Sequence, residues 1–293
     1  MISRLFKSME NFLRMIKFSH TVFALPFALV AVIVIWRQKL AHVSLLKTLY
    51  IIMAFTAVRS FSMAINRLVD AAIDAKNPRT SMREIPRGTL SVLQVKIFAA
   101  MSVLLVWLFS WLLSPVAFYF SFPALVLLTG YSYSKRFTWL CHIWLGAVIG
   151  MAPLAVYIAL TQTLQTESFI LFITLTCYIS GFDILYSIQD MDFDKKMNLY
   201  SMPSRIGIPA SLWISSVLHF ISVAGFFYLG YLVPFSYVYF FGVWIIFIMI
   251  LGEHMAVGWG NKLNKEKIPA AFFNYNSAVS ISFITFSLLD VII

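Results

Sequence analysis

Three oxygen-bearing side chains, Asn66, Asp70 and Asp74, recur at four-residue steps, so a helix carries them along one face with a drift of about 40° per step. Asp183, Asp190 and Asp194 form a second set with steps of seven and four, while Asp192 projects away from their shared face. Carboxylates alone repel a diphosphate. Mg2+ resolves the conflict, because hard oxygen ligands hold it, it keeps part of its water shell, and it bridges to phosphate oxygens. Arg79, Arg83 and Arg87 follow the first set at four-residue steps and supply guanidinium donors for phosphate. The chemistry implied is the departure of a diphosphate whose growing charge is stabilised as it leaves. One acidic run at a helix end is ordinarily a solvated terminus; two matched runs, each with a three-member face, outweigh that reading.

The elements that position these residues follow from composition. Of 293 residues, 61% are hydrophobic and 12% charged, more apolar surface than a soluble core of this length needs. With a mean hydropathy of +0.86, the chain reads as a polytopic membrane protein. Apolar windows long enough to cross about 30 Å of hydrocarbon centre near Val30, Ala54, Val103, Ala124, Ala147, Thr174, Val217, Ile245 and Ile281. The expected fold class is therefore an all-α membrane protein with nine transmembrane helices. Ser114-Pro115 and Val233-Pro234 are short enough breaks to make tight hairpins of the third and fourth and of the seventh and eighth helices.

Lysine and arginine set the orientation. A cytoplasmic N-terminus places Arg4, Lys7, Arg14, Lys17, the group from Arg67 to Lys96, Lys135-Arg136, Lys195-Lys196, Arg205, Lys262, Lys265 and Lys267 on one side; only Arg37, Lys39 and Lys47 fall on the other. Both acidic sets then end at the cytoplasmic side, after helices 2 and 6. The net charge of +10 is mostly this topology signal, with some attraction to anionic lipid, and nucleic acid is excluded as a partner. The basic, then apolar, N-terminal segment is read as the first membrane helix rather than a signal peptide. Cys141 and Cys177 fall inside spans without metal-ligand spacing and read as small buried hydrophobes. Asp70 and Asp190 lie 120 residues apart, each followed by basic residues, so one domain over 1–293 is expected to contain two halves, about 15–137 and 138–293.

Other polar residues are read individually. Arg59 lies seven residues before Asn66, on nearly the same face but deeper in the membrane, where an ionisable group is a functional candidate. Glu253-His254 reads as an interfacial cap, and His20 as an interface histidine or an acceptor contact. Lys195, Lys196 and the Lys262–Lys267 cluster read as topology anchors.

The stretches "NRLVDAAIDAKNPRTSMREIPRG" and "DILYSIQDMDFDKK" resemble the two aspartate-rich motifs of the UbiA superfamily of intramembrane prenyltransferases, in the quinone-forming, 4-hydroxybenzoate polyprenyltransferase-like branch. "KFSHTVFALPFAL" and "YSYSKRFT" are similar to that family's first helix and the loop after its fourth. The resemblance implies a bacterial inner-membrane enzyme of ubiquinone or menaquinone biosynthesis, its nine helices around a central cavity, with cytoplasmic loops after helices 2 and 6 capping a cytoplasm-facing active site. It implies transfer of a polyprenyl group from an allylic polyprenyl diphosphate to a hydroxylated aromatic acid, with Mg2+ as cofactor and no obligate protein partner. On this resemblance Asn66, Asp70 and Asp74 hold one Mg2+, Asp190 and Asp194 another, and Arg67, Arg79, Arg83 and Lys135 contact the diphosphate. Asp183 positions the acceptor or a basic side chain; from its depth rather than from the resemblance, Arg59 pairs with a carboxylate, either Asp70 or Asp183 or that of the aromatic acid. Tyr131, Tyr133, Tyr178 and Tyr186 are candidates for stabilising an allylic cation. A hydroxynaphthoate of the futalosine menaquinone route is the alternative acceptor.

Two other classes compete. A secondary transporter should break its helices in mid-span and carry charge near the midplane, whereas most acids here sit at helix ends. A lipid-binding scaffold should tolerate Asn in place of these aspartates.

Overall fold

The computed structural model describes residues 10–16, 23–258 and 263–293. Arg4, Lys7, Lys17, His20 and Lys262 lie outside the described residues. Among the described residues there is no strand, and the main helices are α1 Leu25–Arg37, α2 Leu45–Asp74, α3 Val92–Leu113, α4 Pro115–Ser134, α5 Cys141–Thr161, α6 Thr166–Ser187, α7 Met202–Leu232, α8 Tyr237–Val257 and α9 Ile268–Ile292. Every expected centre from Val30 to Ile281 falls inside one of them. Among the described residues eight helices are long and apolar enough to cross a membrane; α1, with 13 residues, is shorter than a span.

Local chemistry explains the breaks. Ser114 alone separates α3 from α4: its extended backbone stops α3, its Oγ accepts from the Ala117 N–H at 3.1 Å, and Pro115 opens α4 where no N–H is needed. Ser91 and Gln94 form a reciprocal cap at the start of α3.

The chain divides into two compact units, one of residues 1–21 and 49–133, the other of 22–48 and 134–293. Residues 22–48, in the first half by sequence, pack with the second unit. In the first unit α3 and α4 meet through Trp107 stacked on Phe122 at 5.1 Å and Trp111 against Phe118 at 5.4 Å. Ala99, Ser102, Val106 and Ser110 line the buried stripe of α3, while Leu104 and Val126 stay outside as lipid-facing apolar surface.

In the second unit α5 packs on α6, α6 on α7, α8 on α9, and α1 on both α5 and α9. Gly181 in α6 makes room for α7: a Cβ there would come within 2.4 Å of the His219 imidazole. Glu253 and His254 are buried inside this unit rather than capping an interface. Asn276 donates to Glu253 Oε1 at 2.8 Å and accepts from the Tyr178 hydroxyl at 2.7 Å, while His254 pairs with His219 at 2.9 Å. The cap expectation fails because polar groups inside a bundle gain more from partners on neighbouring helices than one helix can offer.

Arg37, one of three cations on the unexpected side, also has a tertiary reason. Its guanidinium lies 3.2 Å from Asp290 Oδ1, donates to the Pro234 carbonyl at 2.9 Å, and sits 4.9 Å from the Phe235 ring. A cation neutralised by its own fold is a weak topology signal. Cys141 and Cys177 are free and buried, as expected.

Candidate active site

In the first unit, α2 carries Asn66, Arg67, Asp70 and Asp74 over its last turns. Asn66 Nδ2 donates to Asp70 Oδ2 at 3.0 Å, as the four-residue spacing on one face requires. Asp74 is buried, and both of its carboxylate oxygens lie 2.8 Å from Arg83 Nη1. Arg67 is only 2% exposed and stands 3.7 Å from Glu84, an acid that the motif spacing did not single out.

The arginines that follow do not share a helical face. From Lys76 to Leu90 the chain runs in turns, with Asn77 accepting from the Arg79 N–H at 2.9 Å and Arg83 N–H reaching the Thr80 carbonyl at 2.9 Å. Pro78, Pro86 and Gly88, whose φ is +74°, exclude a continuous helix. Arg83 turns back to Asp74, while Arg79 and Arg87 face outward.

In the second unit, α6 ends at Ser187, a 3-10 turn spans Ile188–Asp190, and a short helix runs Met191–Lys196. Asp190 and Asp194 are buried at 7% and 2% exposure. Asp192 points outward and pairs with Lys265 at 3.2 Å, so the facial division of the acids holds in three dimensions. Beyond the end of α4, the Lys135 carbonyl accepts from the Tyr200 N–H at 2.7 Å. Withdrawal from water would lower the Lys135 pKa, but the acidic groups around it, Asp194 first, then Cys141, Asp183 and Asp190, outweigh it and hold the group above the ordinary lysine value.

Asp183 has a partner that sequence reading missed. His142 Nδ1, in the first turn of α5, lies 2.6 Å from Asp183 Oδ2, across 41 residues of sequence. A lone histidine inside an apolar span carries no spacing signal. Arg59 keeps a buried Nε with no hydrogen bond. Of the tyrosines, Tyr178 is fully buried with its hydroxyl on Asn276, Tyr133 faces outward, and Tyr186 lies against Phe272 at 4.3 Å.

The donors suit a hard divalent ion. Asp194 Oδ2 is buried and accepts no hydrogen bond, an acceptor left over in a position where water is excluded. Among the described residues no three His, Cys, Asp or Glu side chains converge into a metal cage. One or two carboxylates completed by water and phosphate is how Mg2+ is held; Zn2+ would call for a closed set of protein ligands. Asp74 is the poorest fit, since Arg83 already holds both of its oxygens.

The model of the UbiA prenyltransferase family matches residues 24–278. The 4-hydroxybenzoate octaprenyltransferase of Haemophilus ducreyi is 27% identical over 226 residues, 77% of this chain and 80% of that protein. The protein of the same description from Serratia proteamaculans is 28% identical over 179 residues, 61% of this chain, and the chain spans 61% of that relative's length. An apo UbiA homologue from Aeropyrum pernix K1 has the same fold at a TM-score of 0.82 and 25% identity, over 93% of this chain and 98% of that one. A homologue from Archaeoglobus fulgidus bound to GPP and Mg2+ has it at a TM-score of 0.70 and 18% identity, over 97% and 100%.

Proposed function

The chain belongs to the UbiA prenyltransferase family, and from that premise we propose that it transfers a polyprenyl group from an allylic polyprenyl diphosphate to a hydroxylated aromatic acid of the 4-hydroxybenzoate type. In the reaction the allylic C–O bond breaks and the diphosphate leaves with the electron pair. An electron-rich ring carbon then bonds to the allylic cation and loses its proton. The observation that carries this reading is the pair of buried carboxylates Asp190 and Asp194 beside the half-buried Lys135, a lysine held in its charged form.

Asn66, Asp70 and Asp74 would hold one Mg2+, with Asp74 yielding an oxygen that Arg83 now occupies, and Asp190 and Asp194 a second. When bound, the metal neutralises phosphate oxygens as charge builds on the leaving group. The chain's own cations do the rest: Arg67, Arg79, Arg83 and Lys135 bind the diphosphate, and Arg83 passes from a carboxylate to a phosphate partner of the same sign. Arg59, whose buried Nε lacks a hydrogen bond, takes the carboxylate of the aromatic acid, and Asp183 takes its hydroxyl. Nine membrane spans, in a bacterial inner membrane and with the site facing the cytoplasm, complete the proposal; the curated relatives named above are bacterial. The product enters ubiquinone or menaquinone biosynthesis.

The test supplies purified protein in detergent with Mg2+, a polyprenyl diphosphate and a panel of hydroxylated benzoates and naphthoates. A product with the mass of acceptor plus prenyl group less one hydrogen is expected from a benzoate. Formation from a naphthoate alone moves the assignment to the futalosine route, and no prenylated aromatic at all defeats it.

A further inference from the structure

We propose that His142 is a positioning residue for the aromatic acceptor: it fixes the Asp183 carboxylate in one orientation and keeps it from collapsing onto Lys135. The inference rests on the reading of Asp183 as the group that meets the acceptor hydroxyl.

The ring's hydrogen bonds assign its tautomer. The backbone N–H of Met202, the first residue of α7, lies 3.4 Å from His142 Nε2 and points a proton at it. Nε2 is therefore the acceptor, the ring proton sits on Nδ1, and Nδ1–H donates to Asp183 Oδ2 at 2.6 Å. Both imidazole nitrogens are committed to the protein, and the His142 side chain is 1% exposed. Asp183 differs: its side chain keeps 20% of its surface open. The pair is thus anchored at the imidazole and open at the carboxylate, the arrangement of an oriented acceptor for an outside donor.

Lys135 supplies the competing arrangement. It feels Asp183 as well as Asp194 and Asp190, all within the second unit. A carboxylate free to rotate would be drawn to that ammonium and would offer it the same oxygens that a phenolic hydroxyl needs. By holding Oδ2, His142 leaves Lys135 to the other two aspartates and the remaining edge of Asp183 to the acceptor. That edge accepts the phenolic O–H, which raises electron density on the ring carbon that bonds to the allylic cation.

Two near-isosteric variants separate this role from a merely structural one. The amide nitrogen of His142→Asn occupies the Nδ1 position and serves Asp183 without reaching Met202; the amide of His142→Gln reaches the Nε2 position and serves Met202 without serving Asp183. With saturating diphosphate and Mg2+, KM for 4-hydroxybenzoate is expected to rise about tenfold or more in His142→Gln and to stay within about threefold of wild type in His142→Asn. KM for the diphosphate is expected to stay unchanged in both. The reverse order, equal effects on the two variants, or parallel rises in both KM values would overturn the proposal and leave His142 as an anchor for α7. If either variant fails to fold, thermal melting in detergent records it, and the effect of the other on the two KM values decides. Wild-type protein that prenylates no hydroxylated aromatic acid defeats the function itself and takes this inference with it; a productive wild type with the wrong variant order defeats the inference alone.

Discussion

Asp290 and Asp194 are both buried acids of the second unit, and they are treated in opposite ways. Asp290, in the last turn of α9, accepts from the Ser236 N–H and hydroxyl and from the Tyr239 N–H, and pairs with Arg37 at 3.2 Å. Its oxygens cap the start of α8, and the desolvation of the charge is offset by three donors and a cation. Asp194 is as deeply buried, yet its Oδ2 has no donor. A fully partnered buried carboxylate has reached its final state with the fold. One with an idle oxygen costs about 1–3 kcal/mol that folding does not recover, which makes sense where a ligand supplies the missing partner. The difference separates a structural acid from a functional one without reference to the motif that contains either.

Five substitutions and one titration sharpen or break that contrast. The largest effect is expected at the carboxylates proposed to hold the metal. Asp194→Asn and Asp190→Asn, like Asp70→Asn in the first unit, should lower kcat at least about 100-fold while the protein still melts cooperatively in detergent, since size is kept and a ligand charge is lost. A normal rate in Asp194→Asn would mean that the orphan oxygen is a cost of packing and not a site.

Asp290→Asn should do the converse. Turning one acceptor into a donor against the Ser236 and Tyr239 N–H groups, and leaving Arg37 unpaired, should cost about 2–4 kcal/mol of stability. Turnover measured below the melting point should stay within about twofold. If turnover collapses with melting unchanged, the two acids are not of different kinds.

A smaller effect is expected from Asp192→Asn. Its partner Lys265 is exposed, a pairing worth about 0–1 kcal/mol, and it points away from Asp190 and Asp194. Activity should fall by less than about twofold; a loss matching that of Asp190→Asn would overturn the facial division.

The pH dependence should be the flattest readout. Because the folded value of Lys135 is raised above its ordinary value of about 10.4, its contribution to stability is full below that value and lost only as pH rises through the folded one. Between pH 7 and 10 the Lys135 charge is constant, so Lys135→Arg should leave the alkaline limb of kcat/KM for the diphosphate where it is in wild type. A wild-type limb below pH 10 that disappears in Lys135→Arg would show that the neighbouring carboxylates fail to hold the charge.

The sequence by itself determined what repeats along a helix. Apolar windows located α1 to α9, and 3.6-residue periodicity put Asn66 against Asp70 and separated Asp192 from Asp190 and Asp194, because backbone geometry ties those side chains to one another before any packing occurs. The even spacing of Arg79, Arg83 and Arg87 carries no such information, because it means a shared face only on a helix that Pro78, Pro86 and Gly88 do not permit. Tertiary structure alone decided the partners that lie far apart in the chain: His142 with Asp183, Arg37 with Asp290 and Glu253 with Asn276. These pairings depend on which helix lies beside which and at what depth, and in a chain where nearly every helix is apolar on all sides no periodic signal marks the face that a lone polar residue will meet. For the same reason the idle oxygen of Asp194 could not be read from the motif: a sequence specifies that an acid is present, and only the packed neighbours decide whether it is already satisfied.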